Sequence, residues 1–133
     1  METGRIAHVI TRSTAGYAVG IRAGRHQLPA DEPTSNGGTD TGPNPIQLLL
    51  SALGACTSIT LRMYAQRKGW ELGEIEVDLE MSREGEVERI ARRIRFSAPL
   101  AEEQRARLAQ IAGRTPVTRT LERGVKIETL LVI

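Results

Sequence analysis

A single cysteine in 133 residues rules out an internal disulfide framework and a cysteine zinc cluster. Aromatic residues make up 3% of the chain, too few to build the stacking platforms on which single-stranded nucleic acid lies. Neither sign of charge is in excess: 18 Lys and Arg stand against 16 Asp and Glu, and a net charge of +2 gives no field for a nucleic-acid partner. The opening METGRIAHVI has no apolar h-region, so a cytoplasmic protein with a reduced thiol is expected. His8 and His26 are isolated, with no second histidine or carboxylate at ligand spacing, and His8 falls within a strand pattern. There is no phosphate-cradling glycine loop, no Ser-His-Asp order and no EF-hand spacing, so neither a metal nor a cofactor is expected. The length suits one domain, 1–133, and not two.

What the chain does have is Pro45–Lys68, PIQLLLSALGACTSITLRMYAQRK, with Cys56 near its middle. The stretch is too long for a strand and ends in Arg67 and Lys68 before Gly69, a basic last turn and a stop. Asn44 is a good cap, and Pro45 suits a first turn because the N–H it lacks would be unpaired there. The first half, from Ile46 through Leu53, Ala55 and Cys56 to Ile59, leaves no wide polar face, and a helix apolar all round is buried on all sides. So small a chain has little with which to surround it, so a second subunit is expected on one side, with Cys56 at or near that boundary. A membrane span is the rival, but the apolar run falls short of the ~20 residues a bilayer needs and Arg62 follows closely.

Before this helix, Ile6–Arg12, Tyr17–Arg22 and Arg25–Leu28 read as an antiparallel meander, followed by a long polar loop over Pro29–Asn44. After it, Ile75–Met81 and Glu88–Phe96 alternate around a turn at Ser82–Glu86 and form a hairpin. Symmetry about that turn sets Glu80 by Arg89, Glu76 by Arg93 and Glu74 by Arg95, so the arginine row is a charge-paired sheet face rather than a polyanion site. Arg92 falls among the apolar positions, which suggests an edge or an interface. Pro99–Ala112 reads as a second helix, Arg114–Gly124 as a loop and Val125–Val132 as a closing strand. The order βββ–α–ββ–α–β is a segregated α+β fold.

Cys56 is the one strong nucleophile candidate. A buried free cysteine also serves as a small hydrophobe, and reactivity demands access and a nearby cation. Mid-helix placement supplies no helix N-terminus, so the cation comes from elsewhere in the fold, with Arg22, Arg25, Arg62, Arg114 and Arg119 as candidates.

The string His26-Gln-Leu-Pro-Ala-Asp-Glu-Pro, then Gly37-Gly38, Asp40 and Gly42-Pro43, then LLLSALGACTSITLRMYAQRKGW, resembles the OsmC/Ohr family of osmotically induced and organic hydroperoxide resistance proteins, nearest to its OsmC-like branch. The likeness runs on through the hairpin to TPVTRTLERGVKIET. It implies an intertwined homodimer around two long central helices, with active sites at the subunit boundary. It further implies peroxiredoxin-like chemistry: a cysteine thiolate, at the place of Cys56, is oxidised by peroxide to a sulfenic acid and resolved by a second cysteine.

The second cysteine of the family precedes a proline, and here Thr115 stands in its place, ahead of Pro116. The glutamate near the start of the family's helix is replaced by Gln47, and the family's thiolate-stabilising arginine, from the N-terminal sheet region, corresponds to Arg22 or Arg25. Two functions follow as expectations. One is a one-cysteine peroxidase that reduces an organic hydroperoxide through Cys56 and relies on an external thiol reductant. The other is a non-enzymatic homodimer that binds a small apolar ligand or a protein partner.

Overall fold

The computed structural model describes residues 4–132. They fall into two compact units, one ending at Leu49 and the other beginning at Leu50. In the first, β1 (Val9–Arg12), β2 (Val19–Ala23) and β3 (His26–Ala30) form the expected antiparallel meander in the order β1-β2-β3. Ala23 pairs with His26 across the two-residue turn Gly24-Arg25, and Arg22 lies opposite Ile10 and Gln27.

The long loop after β3 is ordered by one carboxylate. Asp31 is 2% exposed. Its Oδ2 accepts from the hydroxyls of Thr39 and Thr41, each at 2.7 Å, and from their backbone N–H groups at 3.3 and 3.1 Å, while Oδ1 takes the N–H of Glu32 at 2.7 Å. These bonds, led by the Thr39 hydroxyl and then that of Thr41, hold the carboxyl far below the usual carboxylate range. A 3₁₀ turn over Thr34–Asn36 fills the loop's interior, and the Asp31 N–H donates to the Pro43 carbonyl at 3.1 Å.

Helix α1 runs Pro45–Lys68, with the predicted boundaries, and passes from the first unit into the second. Its ends explain the boundaries. The Asn44 side chain accepts from the Gln47 N–H at 2.8 Å and Gln47 Oε1 accepts from the Asn44 N–H at 2.9 Å, a reciprocal capping box. At the far end Gly69, at φ 72°, takes the left-handed turn. Its N–H reaches the Gln66 carbonyl, and that of Trp70 reaches Ala65, so the last carbonyls keep partners.

In the second unit α1 buries a single stripe, Leu53, Gly54, Thr57, Leu61 and Ala65, at helical spacing. Against it stand β4 (Ile75–Glu84) and β5 (Val87–Phe96), a two-stranded antiparallel sheet, with α2 (Glu102–Ala112) and α3 (Pro116–Arg123). The core is Leu61, Ala65, Leu72, Leu108 and Ala112, ringed by Tyr64, Trp70, Ile75, Ile94, Phe96, Leu100 and Ile111. Gly54 permits close approach of the hairpin, since a Cβ there would lie 2.8 Å from Leu79 Cδ1. The opposite flank of α1 is left open among the described residues: Ala52 and Ala55 are exposed, as are Ile59 at 56% and Met63 at 54%. By length and composition α1 could span a bilayer, a test that the core helix of a soluble protein also passes.

The α+β class stands, and three details differ from the sequence reading. The hairpin closes on the two-residue turn Gly85-Glu86, with Gly85 at φ 63°, so Glu84 pairs with Val87. Glu76 therefore faces Arg95, Asp78 faces Arg93, and Glu80 meets Ala91 instead of Arg89. The stretch after Gly113 contains α3 in place of a loop, started by Thr115 as N-cap and Pro116 in the first turn. Residues 125–132 form no strand among the described residues and leave Val125, Ile127, Leu130, Leu131 and Val132 exposed. Their alternation is that of a strand, but a strand needs a ladder partner and none pairs with them among the described residues.

Candidate functional site

The register of the hairpin decides where its one half-buried charge goes. Arg92 pairs with Leu79, and alternation puts both on the face carrying Ile75, Val77, Ile90, Ile94 and Phe96, the side turned to α1. A guanidinium on an apolar sheet face must find acceptors, because an unpaired buried charge is far more costly than a paired one. Arg92 finds three, each on a different element. Nη1 donates to Thr57 Oγ1 on α1 at 2.9 Å and to Thr118 Oγ1 on α3 at 2.9 Å, and Nη2 donates to the Ala112 carbonyl at the end of α2 at 3.0 Å. That carbonyl is one of the orphan acceptors of a helix C-terminus, so the same bond closes α2 and holds the guanidinium.

The hydroxyls around Arg92 are themselves fixed. Thr57 donates its proton to the Leu53 carbonyl at 2.7 Å, which leaves its oxygen to accept from Arg92. Thr118 and Thr115 hydroxyls lie 2.6 Å apart, and Thr118 Oγ1 stands 3.4 Å from the Ala112 carbonyl. One proton order satisfies all of them: Thr115 donates to Thr118, and Thr118 to Ala112. Thr115 is 0% exposed, and its oxygen also accepts the Thr118 N–H at 3.4 Å as the N-cap of α3.

Cys56 lies on α1 next to Thr57, half-buried, with a free thiol. Burial pulls the Arg92 guanidinium below its ordinary value, while Glu122 on α3 and Cys56 act on it in the opposite sense by charge. Beside Arg92 a groove of about 550 Å³ is walled by Leu53, Ile90, Leu121 and Thr118 and edged by Glu88, Arg89 and Glu122. The arrangement can hold a negative charge near a cation whose own donors are largely engaged.

The remaining candidates have other placements. Gln47 is the capping-box residue of α1, so the amide at the glutamate position is engaged with the helix start. Arg22 is on β2 and lines, with Arg12, a groove over the N-terminal sheet, while Arg25 sits exposed in the β2–β3 turn. Both belong to the N-terminal unit and Cys56 to the other. Thr115 shares the unit of Cys56 but ends in a buried cap. Sequence reasoning missed Arg92 as a site residue. Its signal was a charge at an inward position of an alternating strand. Among the described residues no cluster of His, Cys, Asp and Glu is suited to a metal ion.

The family model for OsmC-like protein matches residues 38–130. The chain resembles the crystal structure of an OsmC-like protein from Mycoplasma pneumoniae at a TM-score of 0.77 and 19% identity, covering 90% of this chain and 89% of that one. An organic hydroperoxide resistance protein OsmC from Legionella pneumophila gives a TM-score of 0.65 at 18% identity, covering 90% and 91%. The organic hydroperoxide resistance protein OhrB of Bacillus subtilis gives 0.60 at 23% identity, covering 87% and 90%. At such identities the likeness establishes the fold. No curated protein matches the chain in sequence.

Proposed function

Because the chain belongs to the OsmC-like protein family, we propose that it is a one-cysteine thiol peroxidase acting on organic hydroperoxides. The Cys56 thiolate attacks the outer oxygen of the peroxide. The O–O bond breaks, the sulfur is oxidised to a sulfenic acid, and the departing alkoxide takes a proton from water to become the alcohol. Two external thiols then return Cys56 to the thiol, leaving as their disulfide with one water released. An external reductant is required because Thr115 cannot form a disulfide. The reading fits a cytoplasmic setting, where small thiols are abundant.

The observation that carries this reading is a free, half-buried thiol on α1, one residue from the Thr57 hydroxyl that accepts from Arg92 at 2.9 Å. A homodimer is part of it. Among the described residues the flank of α1 at Ala52, Ala55, Ile59 and Met63 is apolar and uncovered, and residues 125–132 have strand alternation without a ladder. A second copy would cover the first and pair the second. Light scattering of the purified protein tests this, and a monomer at micromolar concentration ends it.

Stopped-flow oxidation by cumene hydroperoxide, with Cys56→Ser as the blank, tests the chemistry. A rate well above that of free cysteine is expected, and an equal rate rejects the enzyme. The alternative, a non-enzymatic homodimer holding a small apolar ligand, draws on the buried cap at Thr115 and the capping amide of Gln47, where the resemblance expects a thiol and a carboxylate. Native mass spectrometry would detect a retained ligand, and unchanged binding by Cys56→Ser would favour that alternative.

A further inference from the structure

The outward face of the hairpin separates charge by strand. Its charges on β4 are Glu76, Asp78, Glu80 and Glu84, all acidic, and on β5 they are Arg89, Arg93 and Arg95, all basic. Every one of them is exposed. Among the described residues Glu76 and Arg95 form an ion pair across this face, and the others are in none. We infer that this face docks a second copy of the chain, stacked face to face about a two-fold axis that runs along the strands. The contact is additional to the homodimer, because α1 packs on the inward face of the hairpin and its open apolar flank lies on the far side of that helix.

Such an axis keeps each residue's height along the strands and exchanges the two strands, so β4 of the second copy lies over β5 of the first. The hairpin register then fixes what meets. Glu76 of the second copy lies over Arg95 and its Asp78 over Arg93, because those residues are already level across the hairpin. Glu80 is level with Ala91, and Arg89 with Ser82, and both of these small side chains leave a gap between two charges. Glu80 of the second copy enters between Arg89 and Arg93, and its Arg89 between Glu80 and Glu84. An axis across the strands would instead lay β4 on β4, acid on acid, which is costly. Stacked sheets lie ~10 Å apart, a gap that glutamate and arginine side chains bridge together. Strands of 10 residues give a contact roughly 33 Å long and two strands wide, which places it among the small, weak interfaces. A dissociation constant on the order of 0.1–1 mM is therefore expected, with strong dependence on salt.

The experiment is sedimentation velocity of the full chain at about 0.5 mM, in about 10 mM salt, where charges act over ~30 Å, and in about 1 M salt, where they act over ~3 Å. The high-salt mass, one chain or two, is the base species and reads the homodimer separately. At low salt a species of at least twice that mass is expected, growing with concentration. Arg93→Glu and Asp78→Arg, each confirmed as folded by circular dichroism, should stay at the base mass, since each sets like charges together when identical copies meet. Mixing the two variants restores the larger species, because every contact at that level then joins opposite charges. Glu80→Gln removes a charge that has no partner among the described residues and weakens association about fivefold, the contact being lost twice in a two-fold arrangement. A wild type that keeps the base mass at low salt overturns the inference and leaves the face to solvent. A larger species that survives in Arg93→Glu also overturns it, as does a mixture that stays at the base mass. If the reversal variants do not fold, unchanged association of Glu80→Gln overturns it.

Discussion

Asp31 and Arg92 are both ionised side chains held by threonine hydroxyls, and they are held in opposite ways. The Asp31 carboxylate takes all five of its bonds from residues within ten positions of it in sequence, and the set closes on itself. The Arg92 guanidinium draws its partners from 20, 26 and 35 positions away, and the Glu122 carboxylate acts on it by charge. A charge saturated by its own loop is an anchor. One held by three separate elements ties α1, α2 and α3 together around a single side chain. The anchor orders one loop, whereas the second network joins elements far apart in sequence.

The largest effect is expected at the anchor. A Cβ at Gly38 would overlap the Glu32 carbonyl oxygen and come within 2.8 Å of Asp31 Oδ1, so Gly38→Ala cannot be relieved by a side-chain rotation. Urea unfolding of this variant should show a loss of about 3 kcal/mol. Asp31→Asn should lower Tm more than any single threonine substitution. Its pH signature follows from the direction of the shift. The folded-state carboxyl lies below the unfolded one, so its contribution is fully present above the ordinary carboxylate value of ~3.9 and is lost as pH falls through the folded value. The wild type should therefore lose its advantage over Asp31→Asn progressively below about pH 4. A constant difference across that range would mean that the loop does not depend on the ionised form.

The next effect is at the second network. Thr118→Val keeps the shape of the side chain but deprives Arg92 Nη1 and the Thr115 hydroxyl of a partner at a position only 7% exposed. A loss of about 1–3 kcal/mol is expected in urea. A midpoint equal to that of the wild type would mean that the fold does not depend on this network.

How much of this was legible in sequence depends on how local the physics is. The ends of α1 were readable because Asn44, Pro45, Lys68 and Gly69 act within a turn of where they stand. The hairpin strands were readable from alternation, but their register was not, because it depends on which two residues turn, and Gly85 at φ 63° moved every pairing by two positions. Thr115-Pro116 carried a helix-start signal that was overshadowed by the loop character of its surroundings. The strand pattern of residues 125–132 was real as a pattern, yet pairing is a property of two segments and cannot be read from one. Arg92 was visible as an anomaly and opaque as a site, since its three acceptors are assembled only by the fold.

The smallest effect belongs to the outer face of the same hairpin, which provides the control for Arg92. Glu76 and Arg95 pair there at 2.9 Å with side chains 59% and 68% exposed. Water screens such pairs and their long side chains lose entropy on fixing, so exposed ion pairs contribute about 0–1 kcal/mol. Glu76→Gln should therefore cost less than about 1 kcal/mol, and the difference from wild type should shrink further in 1 M salt, where charges are screened within ~3 Å. Thr118→Val should keep most of its effect in the same salt, because its partner is partly buried and held by direct hydrogen bonds. Arginines from one strand, three residues apart in sequence, would then differ in salt response according to the face they occupy, and equal salt dependence at both would place Arg92 among the surface charges after all.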